Sequence, residues 1–348
     1  MSDALSGQAD GAIPSLRDED LPPLFHDADK RAIKAQGRFF AWLQWELVLL
    51  GLGVLIGALN GVADHIGPLP LVVPPFTVAG VRIATLSAFE ITEAALLTIA
   101  LVVRLIRVIA RPERLWYEAR AVAESVKSIA WRYAVGGEPF QEANTPDELR
   151  AIVDDRLNGI RADLSKYQPS DAVAQEHQVT PAMRAIRELP LEQRKRVYRA
   201  DRVENQQTWY AKKARFNRRR ALQAHIILIA VEVFAIIAAL IPVALTALHL
   251  FPLNLQSLMA NIAGGGAAWM QAKRYEDLNA GYQVTASELR QVAKGIEQQH
   301  TESAWAHFIE NAEGSMSREH QLWRATRVDA PTDDDEAPNP QYAPEHAG

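Results

Sequence analysis

The sequence predicts an all-α, polytopic membrane protein: two transmembrane helical hairpins, four spans in all, joined to a bundle of long cytosolic helices. Three observations lead to this prediction. Apolar residues concentrate in four windows instead of spreading evenly along the 348 residues. Basic residues stand at one end of every window. The polar segments outside the windows carry the start and stop signals of long helices.

The four apolar windows have the length and composition of membrane-spanning helices. A helix needs about 20 residues to cross a hydrocarbon core about 30 Å thick. The first and third windows reach that length, whereas the second and fourth are shorter or more polar. The spans should be helical because lipid cannot satisfy free backbone N–H and C=O groups. The windows are residues 39–59, 86–103, 224–245 and 250–270.

The basic residues are sorted to one side of the predicted spans. The two loops that join the windows, near residues 60–85 and 246–252, contain only Arg82 between them. This positive-inside asymmetry places both termini and the long middle segment in the cytoplasm. The alternative, a soluble bundle with four buried helices, gives no reason for such sorting. The flanking residues are Lys30, Arg31, Lys34 and Arg38; Arg104, Arg107, Arg111 and Arg114; Lys212, Lys213, Arg215, Arg218, Arg219 and Arg220; and Lys273 and Arg274.

The composition excludes several kinds of chemistry. The chain contains no cysteine, which rules out disulfides, cysteine-ligated metals and thiol nucleophiles. No phosphate-binding loop, dinucleotide fingerprint, zinc-protease motif or serine-hydrolase elbow is present. We therefore expect no enzymatic activity, no cofactor, no metal site and no nucleic-acid binding. Residues 1–24 and 328–348 hold few apolar side chains, which predicts two disordered tails, the second acidic.

The order of features indicates an internal duplication. Each hairpin follows a basic helical stretch and precedes a helix that opens with a tyrosine and a glutamate. These pairs are Tyr117–Glu118 and Tyr275–Glu276, and Val126 and Val284 follow them at equal offsets. We predict a first two-span domain at 25–140, a helical linker at 141–190 and a second domain at 191–327. A helix that starts near Leu191 is expected to continue into the third window.

Two carboxylates lie inside the predicted spans, Glu46 in the first window and Glu232 in the third. Because a charge within the bilayer is costly, such residues usually face a protein interior or water. Two hypotheses follow for both residues. They line a polar path that favours cations, or they are structural carboxylates that are protonated or paired with a neighbouring helix.

Small and polar residues form stripes on two of the predicted spans. Asn254, Ser257 and Asn261 share one face of the fourth helix, which can line a pore or pack against another helix. Gly53, Gly57 and Gly61 form overlapping G-x-x-x-G motifs in the first span, which predicts a close helix contact. The run Gly264, Gly265 and Gly266 also predicts helix packing. The basic cluster is expected to bind anionic lipid headgroups or only to fix topology; it comprises Lys212, Lys213, Arg215, Arg218, Arg219 and Arg220.

Four segments together resemble bacterial SLATT proteins, whose name denotes SMODS- and SLOG-associating two-transmembrane effector domains. They are ADKRAIKAQGRFFAWLQ, RPERLWYEARAVAESVKSIAWRYAVGGEPF, RVENQQTWYAKKARFNRRR and WMQAKRYEDLNAGYQVTASEL. The resemblance covers about residues 25 to 327 and suggests two such domains in tandem.

The resemblance implies a membrane effector of a bacterial conflict or anti-phage system. Such a protein would oligomerise and permeabilise the inner membrane when triggered. A nucleotide-signal sensor or synthase would be its partner, because the chain has no recognisable nucleotide-handling domain of its own. The alternative function is a non-conducting membrane anchor or scaffold whose cytosolic bundle binds a partner, and a membrane-embedded enzyme is a third.

Overall fold

The computed structural model describes most of the chain outside its termini and two connecting regions. The described ranges are residues 14–66, 86–141, 176–245 and 255–328, with short pieces at 72–73, 76–78, 81–83, 145, 148, 151–153, 155–156, 159, 167–170 and 172–173.

The described chain is overwhelmingly helical, as the sequence predicts. One 3-10 turn, Asp18–Asp20, precedes the first helix, and a π-helical segment, Tyr198–Glu204, connects the fifth and sixth. The α-helices are α1 (Pro23–Ile66), α2 (Ala88–Ala110), α3 (Pro112–Val135), α4 (Pro181–Arg187), α5 (Leu191–Val197), α6 (Asn205–Leu245), α7 (Leu255–Lys273), α8 (Tyr275–Ile296) and α9 (Glu302–Val328).

Four short strands lie between α1 and α2, where the sequence predicts only a loop. They form two antiparallel pairs, with β1 bonded to β4 and β2 to β3. Helix α1 also continues to Ile66, beyond the predicted end of its span. The strands are β1 (Val72–Val73), β2 (Phe76–Val78), β3 (Val81–Ile83) and β4 (Leu86–Ser87).

The four apolar windows fall in α1, α2, α6 and α7. By length and composition, two stretches of the described chain could cross a membrane, Pro23–Asn60 and Leu191–Ile237. Helix α5, the π-helical segment and α6 follow one another without a break, so the predicted long helix into the third window is present.

The window-bearing helices pack in an open row. Helix α1 contacts α2 on one side and α7 on the other, and α7 contacts α6, which gives the order α2–α1–α7–α6. We call this arrangement the apolar row. Large apolar side chains of the two outer helices are exposed along their length, and Ile109 on α2 is 78% exposed. The row therefore leaves apolar surface uncovered that a water-soluble protein would bury.

The main hydrophobic core lies outside the four apolar windows and surrounds α3. Small and β-branched residues of α3 recur every three or four positions, as in Ala119, Val122 and Val126, so that neighbouring helices approach closely. The first turns of α1, α4, the π-helical segment and α9 pack against this helix, and α8 joins the core through the π-helical segment and α9. Trp131 on α3 and Trp305 on α9 both contact the ring of Tyr198 edge-on.

Part of the predicted N-terminal tail belongs to this core. Leu16, Leu21 and Leu24 are almost completely buried, although the sequence predicts residues 1–24 to be disordered. The segment is held by Asp201, whose carboxylate accepts hydrogen bonds from the Ser15 hydroxyl at 2.7 Å and the Leu16 N–H at 3.2 Å. Within the described residues the prediction is therefore wrong from residue 14 onward, because tertiary contacts bury these leucines.

The two halves of the chain repeat one backbone feature. Arg111 joins α2 to α3 and Arg274 joins α7 to α8, and both are left-handed, with φ of 44° and 48°. If these two arginines are treated as equivalent positions, then buried Val126 in the first half corresponds to buried Leu289 in the second. The predicted pairing of Val126 with Val284 is wrong, because Val126 is 1% exposed and Val284 is 57% exposed.

Candidate functional site

Glu46 is paired with an arginine across the α1–α2 contact. Arg107 donates to one carboxylate oxygen of Glu46 from Nη2 at 2.8 Å and from Nε at 3.2 Å. The Nε of Arg104 lies 3.9 Å from the other oxygen. Glu46 is only 7% exposed. This geometry is that of a carboxylate paired with and neutralised by a cation. The sequence presents Arg107 as a flanking cation, but in the structure its charge neutralises Glu46.

Glu232 has a different environment. It lies on α6, and its side chain is exposed beside the exposed apolar residues Val233, Phe234 and Ile236. Within the described part of the chain, no hydrogen bond or ion pair holds it. A carboxylate on an apolar face is costly in lipid, so water, a second protein surface or a bound proton must satisfy it.

The predicted stripe on the fourth window is divided in the structure. Asn261 lies at the α1–α7 contact, where a Cβ at Gly51 would stand 3.9 Å from its amide oxygen. Ser257 is exposed, and Asn254 lies outside the described residues. The structure therefore turns Asn261 toward the first span and leaves Ser257 at the surface of the row.

Three of the predicted packing glycines lie at close helix contacts. A Cβ at Gly53 would stand 3.1 Å from Leu97 of α2, and one at Gly57 would stand 2.8 Å from the carboxylate of Glu93. In α7, a Cβ at Gly266 would stand 2.7 Å from Leu228. A Cβ at any of these positions would require the neighbouring side chain to shift, which the flexible carboxylate of Glu93 does more easily than Leu97 or Leu228.

The other predicted packing glycines do not share this environment. No described atom lies within 4 Å of a Cβ built at Gly264 or Gly265, so within the described chain neither makes the expected contact. The neighbouring helices do not approach α7 closely there, and open space adjoins both positions. Gly61 belongs to α1, but its surroundings lie outside the described residues.

All six residues of the predicted headgroup cluster are exposed on α6. Lys213 lies over the ring of Trp209, and Arg220 lies over the ring of Phe216. Arg215 and Arg218 instead line a groove between α6 and α8. Their exposure leaves this set available to headgroups or to another anion; its members are Lys212, Lys213, Arg215, Arg218, Arg219 and Arg220.

Aromatic residues surround a lysine where the apolar row meets the core. The Nζ of Lys273, at the end of α7, lies 3.3 Å from the centroid of Phe40 and 4.7 Å from that of Trp269. The ring of Trp116 also packs on Phe40. This cluster joins the middle of α1 and the end of α7 to the start of α3, and cation–π attraction stabilises it.

A buried charge pair connects the π-helical segment to α9, and the sequence reasoning missed it. Arg202 donates to both oxygens of Glu313, from Nε at 2.9 Å and from Nη2 at 2.7 Å. The Tyr198 hydroxyl donates to the same carboxylate at 2.9 Å. Tyr198 and Arg202 are four residues apart and so share one helix face, which is the only signal in the sequence that could have linked them.

The electrostatics of this cluster favour a charged pair beside a neutral tyrosine. Burial, and next the charge of Glu313, raises the pKa of Tyr198 well above its usual value, so the hydroxyl keeps its proton. Burial by itself lowers the pKa of Arg202, but the charge of Glu313 and its hydrogen bonds outweigh burial, and the net pKa is raised. The Nη1 of Arg202 is buried without a partner among the described residues.

One exposed group has the composition of a weak metal site. His307 Nδ1 lies 3.5 Å from a Glu138 oxygen and 4.0 Å from a Glu310 oxygen. His307 is largely exposed, and among the residues that the structure describes no buried, unpartnered ligand atom points at the group. Exposed acidic groups commonly occur without an ion, so their proximity alone does not make a site.

Two family models match the chain in succession. The one described as SMODS and SLOG-associating 2TM effector domain 3 matches residues 22–195. The one described as SMODS and SLOG-associating 2TM effector domain 1 matches residues 198–323. The first match includes residues 141–190, which the sequence predicts to be a linker. No curated protein and no solved structure matches the chain.

Proposed function

The chain belongs to the SLATT effector families, with a domain of type 3 followed by one of type 1, and we propose that it permeabilises the bacterial inner membrane. These families suggest a membrane effector of bacterial conflict systems. The proposal adds that the four windows cross the membrane as two hairpins, with both termini in the cytoplasm, and that triggering converts the assembled protein into a conducting form.

The observation that carries the proposal is the open order of the apolar row. Helices α2 and α6 stand at its two ends and expose apolar side chains. A single row of helices has two faces and cannot enclose a water-filled path. A conducting form therefore needs several copies, which is why we propose a homo-oligomer in which lipid and neighbouring copies cover the exposed faces.

The polar path that we propose uses Glu232 and not Glu46. Glu46 is already neutralised by Arg107 within one chain, whereas Glu232 is exposed on the apolar surface of α6. In an assembly, Glu232 would line water and favour cations, with Ser257 and Asn261 as further polar groups on α7. Of the two carboxylates predicted within the spans, Glu232 is therefore a residue of the proposed polar path and Glu46 is a structural residue.

A trigger would reach the membrane through the helical core. Helices α3 and α8 each follow a window-bearing helix after a single left-handed arginine, so movement of the core would be passed directly to α2 and α7. We propose that the core receives the trigger from a partner, for which a nucleotide-signal sensor or synthase is the expectation.

One observation favours the alternative function, a non-conducting anchor or scaffold. The largest buried cluster of the described chain centres on α3 and lies outside the four apolar windows. A protein that only presents this core to a partner at the membrane would need the row as an anchor and nothing more.

Membrane potential separates the two functions. We expect induced expression in bacterial cells, with the natural trigger present, to depolarise the membrane, as followed with a potential-sensitive dye. Glu232→Leu should remove at least half of that depolarisation, because it replaces the only exposed carboxylate in the described part of the α6 window. Ile236→Leu, an apolar exchange one turn away, should leave it unchanged.

The amount of inserted protein is measured in the same cells by membrane fractionation. Full membrane potential at normal insertion, with the trigger supplied, would overturn the pore proposal and leave the anchor function. Depolarisation that Glu232→Leu does not change would retain permeabilisation and remove Glu232 from the path.

A further inference from the structure

We infer that the groove between α6 and α8 is a binding site for a phosphate-bearing anion. The groove has a volume of about 470 Å³ and is formed by only these two helices. This volume lies within the range of about 300–1,000 Å³ that is usual for ligand pockets. The inference does not depend on membrane permeabilisation, since an anchor protein could carry the same site.

Three guanidinium groups line the groove, from Arg215 and Arg218 on α6 and Arg290 on α8. Arg215 and Arg218 form no ion pair with any residue in the described part of the chain. The Nε of Arg290 bonds only to the carbonyl of Ala286 on its own helix, at 3.2 Å. No carboxylate is among the described residues that line the groove, so the three positive charges have no counter-charge within its lining.

The remaining lining supplies neutral donors and room for a ligand. Asn279 and Gln283 stand one turn apart on α8, and Gln283 donates to the Asn279 amide oxygen at 2.9 Å. This bond does not use the amide N–H groups of Asn279 or the second N–H of Gln283, which we expect to donate to a ligand. Ala211, Ala214 and Ala286 form an apolar floor whose short side chains leave space between the arginines.

A phosphate group fits this arrangement better than other anions. Arginine presents a planar fork of N–H donors that matches the oxygens of phosphate, and the bonds are charge-assisted. Converging uncompensated cations attract a multivalent anion more strongly than a single carboxylate. The donor set is therefore that of a site for one or more phosphates.

The position of the groove allows two sources of the phosphate. Helix α8 begins at Tyr275, directly after the last residues of the fourth window, and the α8 residues of the groove extend from Asn279 to Arg290. That distance is about 16 Å along the helix. The Asn279 end of the groove lies near the expected headgroup layer, and the Arg290 end extends beyond that layer, away from the membrane. An anionic lipid headgroup and a soluble phosphorylated molecule share the required chemistry.

The test uses the full chain in nanodiscs, with two arms. In the first, inorganic pyrophosphate is titrated into protein in phosphatidylcholine nanodiscs and binding heat is measured. In the second, native mass spectrometry counts phosphatidylglycerol molecules retained from mixed phosphatidylglycerol and phosphatidylcholine nanodiscs. Binding in the first arm identifies a soluble phosphate, and binding in the second alone identifies a headgroup; either result supports the site.

The decisive variant is Arg215→Gln with Arg218→Gln and Arg290→Gln, which should weaken binding at least tenfold in the arm that shows it. The matched control is Lys30→Gln with Lys34→Gln and Arg196→Gln, which removes the same charge from exposed positions that belong neither to the groove nor to the predicted headgroup cluster. The control should change affinity less than threefold.

A second variant distinguishes a specific loss of binding from a folding defect caused by the triple substitution. Ala211→Phe fills the floor of the groove without changing any charge and should also weaken binding at least tenfold. No binding in either arm would overturn the inference. Equal losses in the lining variant and in the matched control would also overturn it, because the net charge of the protein, and not the groove, would then explain binding.

Discussion

Glu313→Leu should lower the free energy of unfolding by about 3–5 kcal/mol, the range found when one partner of a buried ion pair is removed. Glu313 and Arg202 have side chains that are 0% and 3% exposed. Without the carboxylate, the Arg202 charge would remain in the core with only the weaker electrostatic effect of Glu124 as a carboxylate to favour it. The Tyr198 hydroxyl would lose its acceptor as well.

Thermal unfolding followed by tryptophan fluorescence measures this loss, because Trp131 and Trp305 both pack against Tyr198. The double variant Arg202→Met with Glu313→Leu should recover most of the stability, since apolar replacements of a whole buried pair are often neutral. Glu297→Gln, which removes the partner of Arg199 in an exposed pair, is the control and should change little. A single variant as stable as the parent, or a double variant no better than the single one, would contradict the account.

Arg107→Leu should reduce the amount of correctly inserted protein several-fold. It leaves Glu46 charged and almost buried at the α1–α2 contact, with only the more distant Arg104 nearby. Removing one partner of such a pair costs about 3–5 kcal/mol in soluble proteins. Arg104 is the one other cation on α2, and the exposed side chains beside it, such as Leu105 and Ile109, are apolar.

Membrane fractionation with protease protection measures this effect. Glu46→Leu combined with Arg107→Leu should restore insertion, since no unpaired charge would remain between the helices. Arg104→Gln is the matched control, because Arg104 is 65% exposed and 3.9 Å from the carboxylate, and it should insert normally. Normal insertion of Arg107→Leu would show that the pair does not hold the hairpin together.

Helix positions were predictable where local signals decide them. Thr180 with Pro181 predicts a helix start, and the Thr180 hydroxyl accepts the N–H of Met183 at 3.4 Å. Thr145 similarly accepts the N–H of Glu148 at 3.2 Å. The long helix into the third window follows from an apolar and basic sequence without a glycine or proline between residues 191 and 241. Helix capping and helix propensity depend on residues that are close together in the chain, so both can be recognised in the sequence.

Tertiary pairing was not predictable from the same signals. In the sequence, Arg107 has the position of a cation that sets membrane topology. Only the contact between α1 and α2 shows that it is the partner of Glu46. The leucines between residues 16 and 24 have no helical spacing, so only contacts with the core show that they are buried. The π-helical segment leaves no pattern in the residues, although it sets Tyr198 and Arg202 against Glu313.

Cysteine accessibility tests the central claim, that the four windows cross the membrane as two hairpins. The chain has no native cysteine, so single substitutions report without background. Thr77→Cys and His249→Cys lie in the two loops between windows, and Gln168→Cys and Gln298→Cys lie outside the hairpins. The account predicts that a membrane-impermeant maleimide labels the first two in spheroplasts and the last two only after lysis. Labelling of all four from the same side would contradict it.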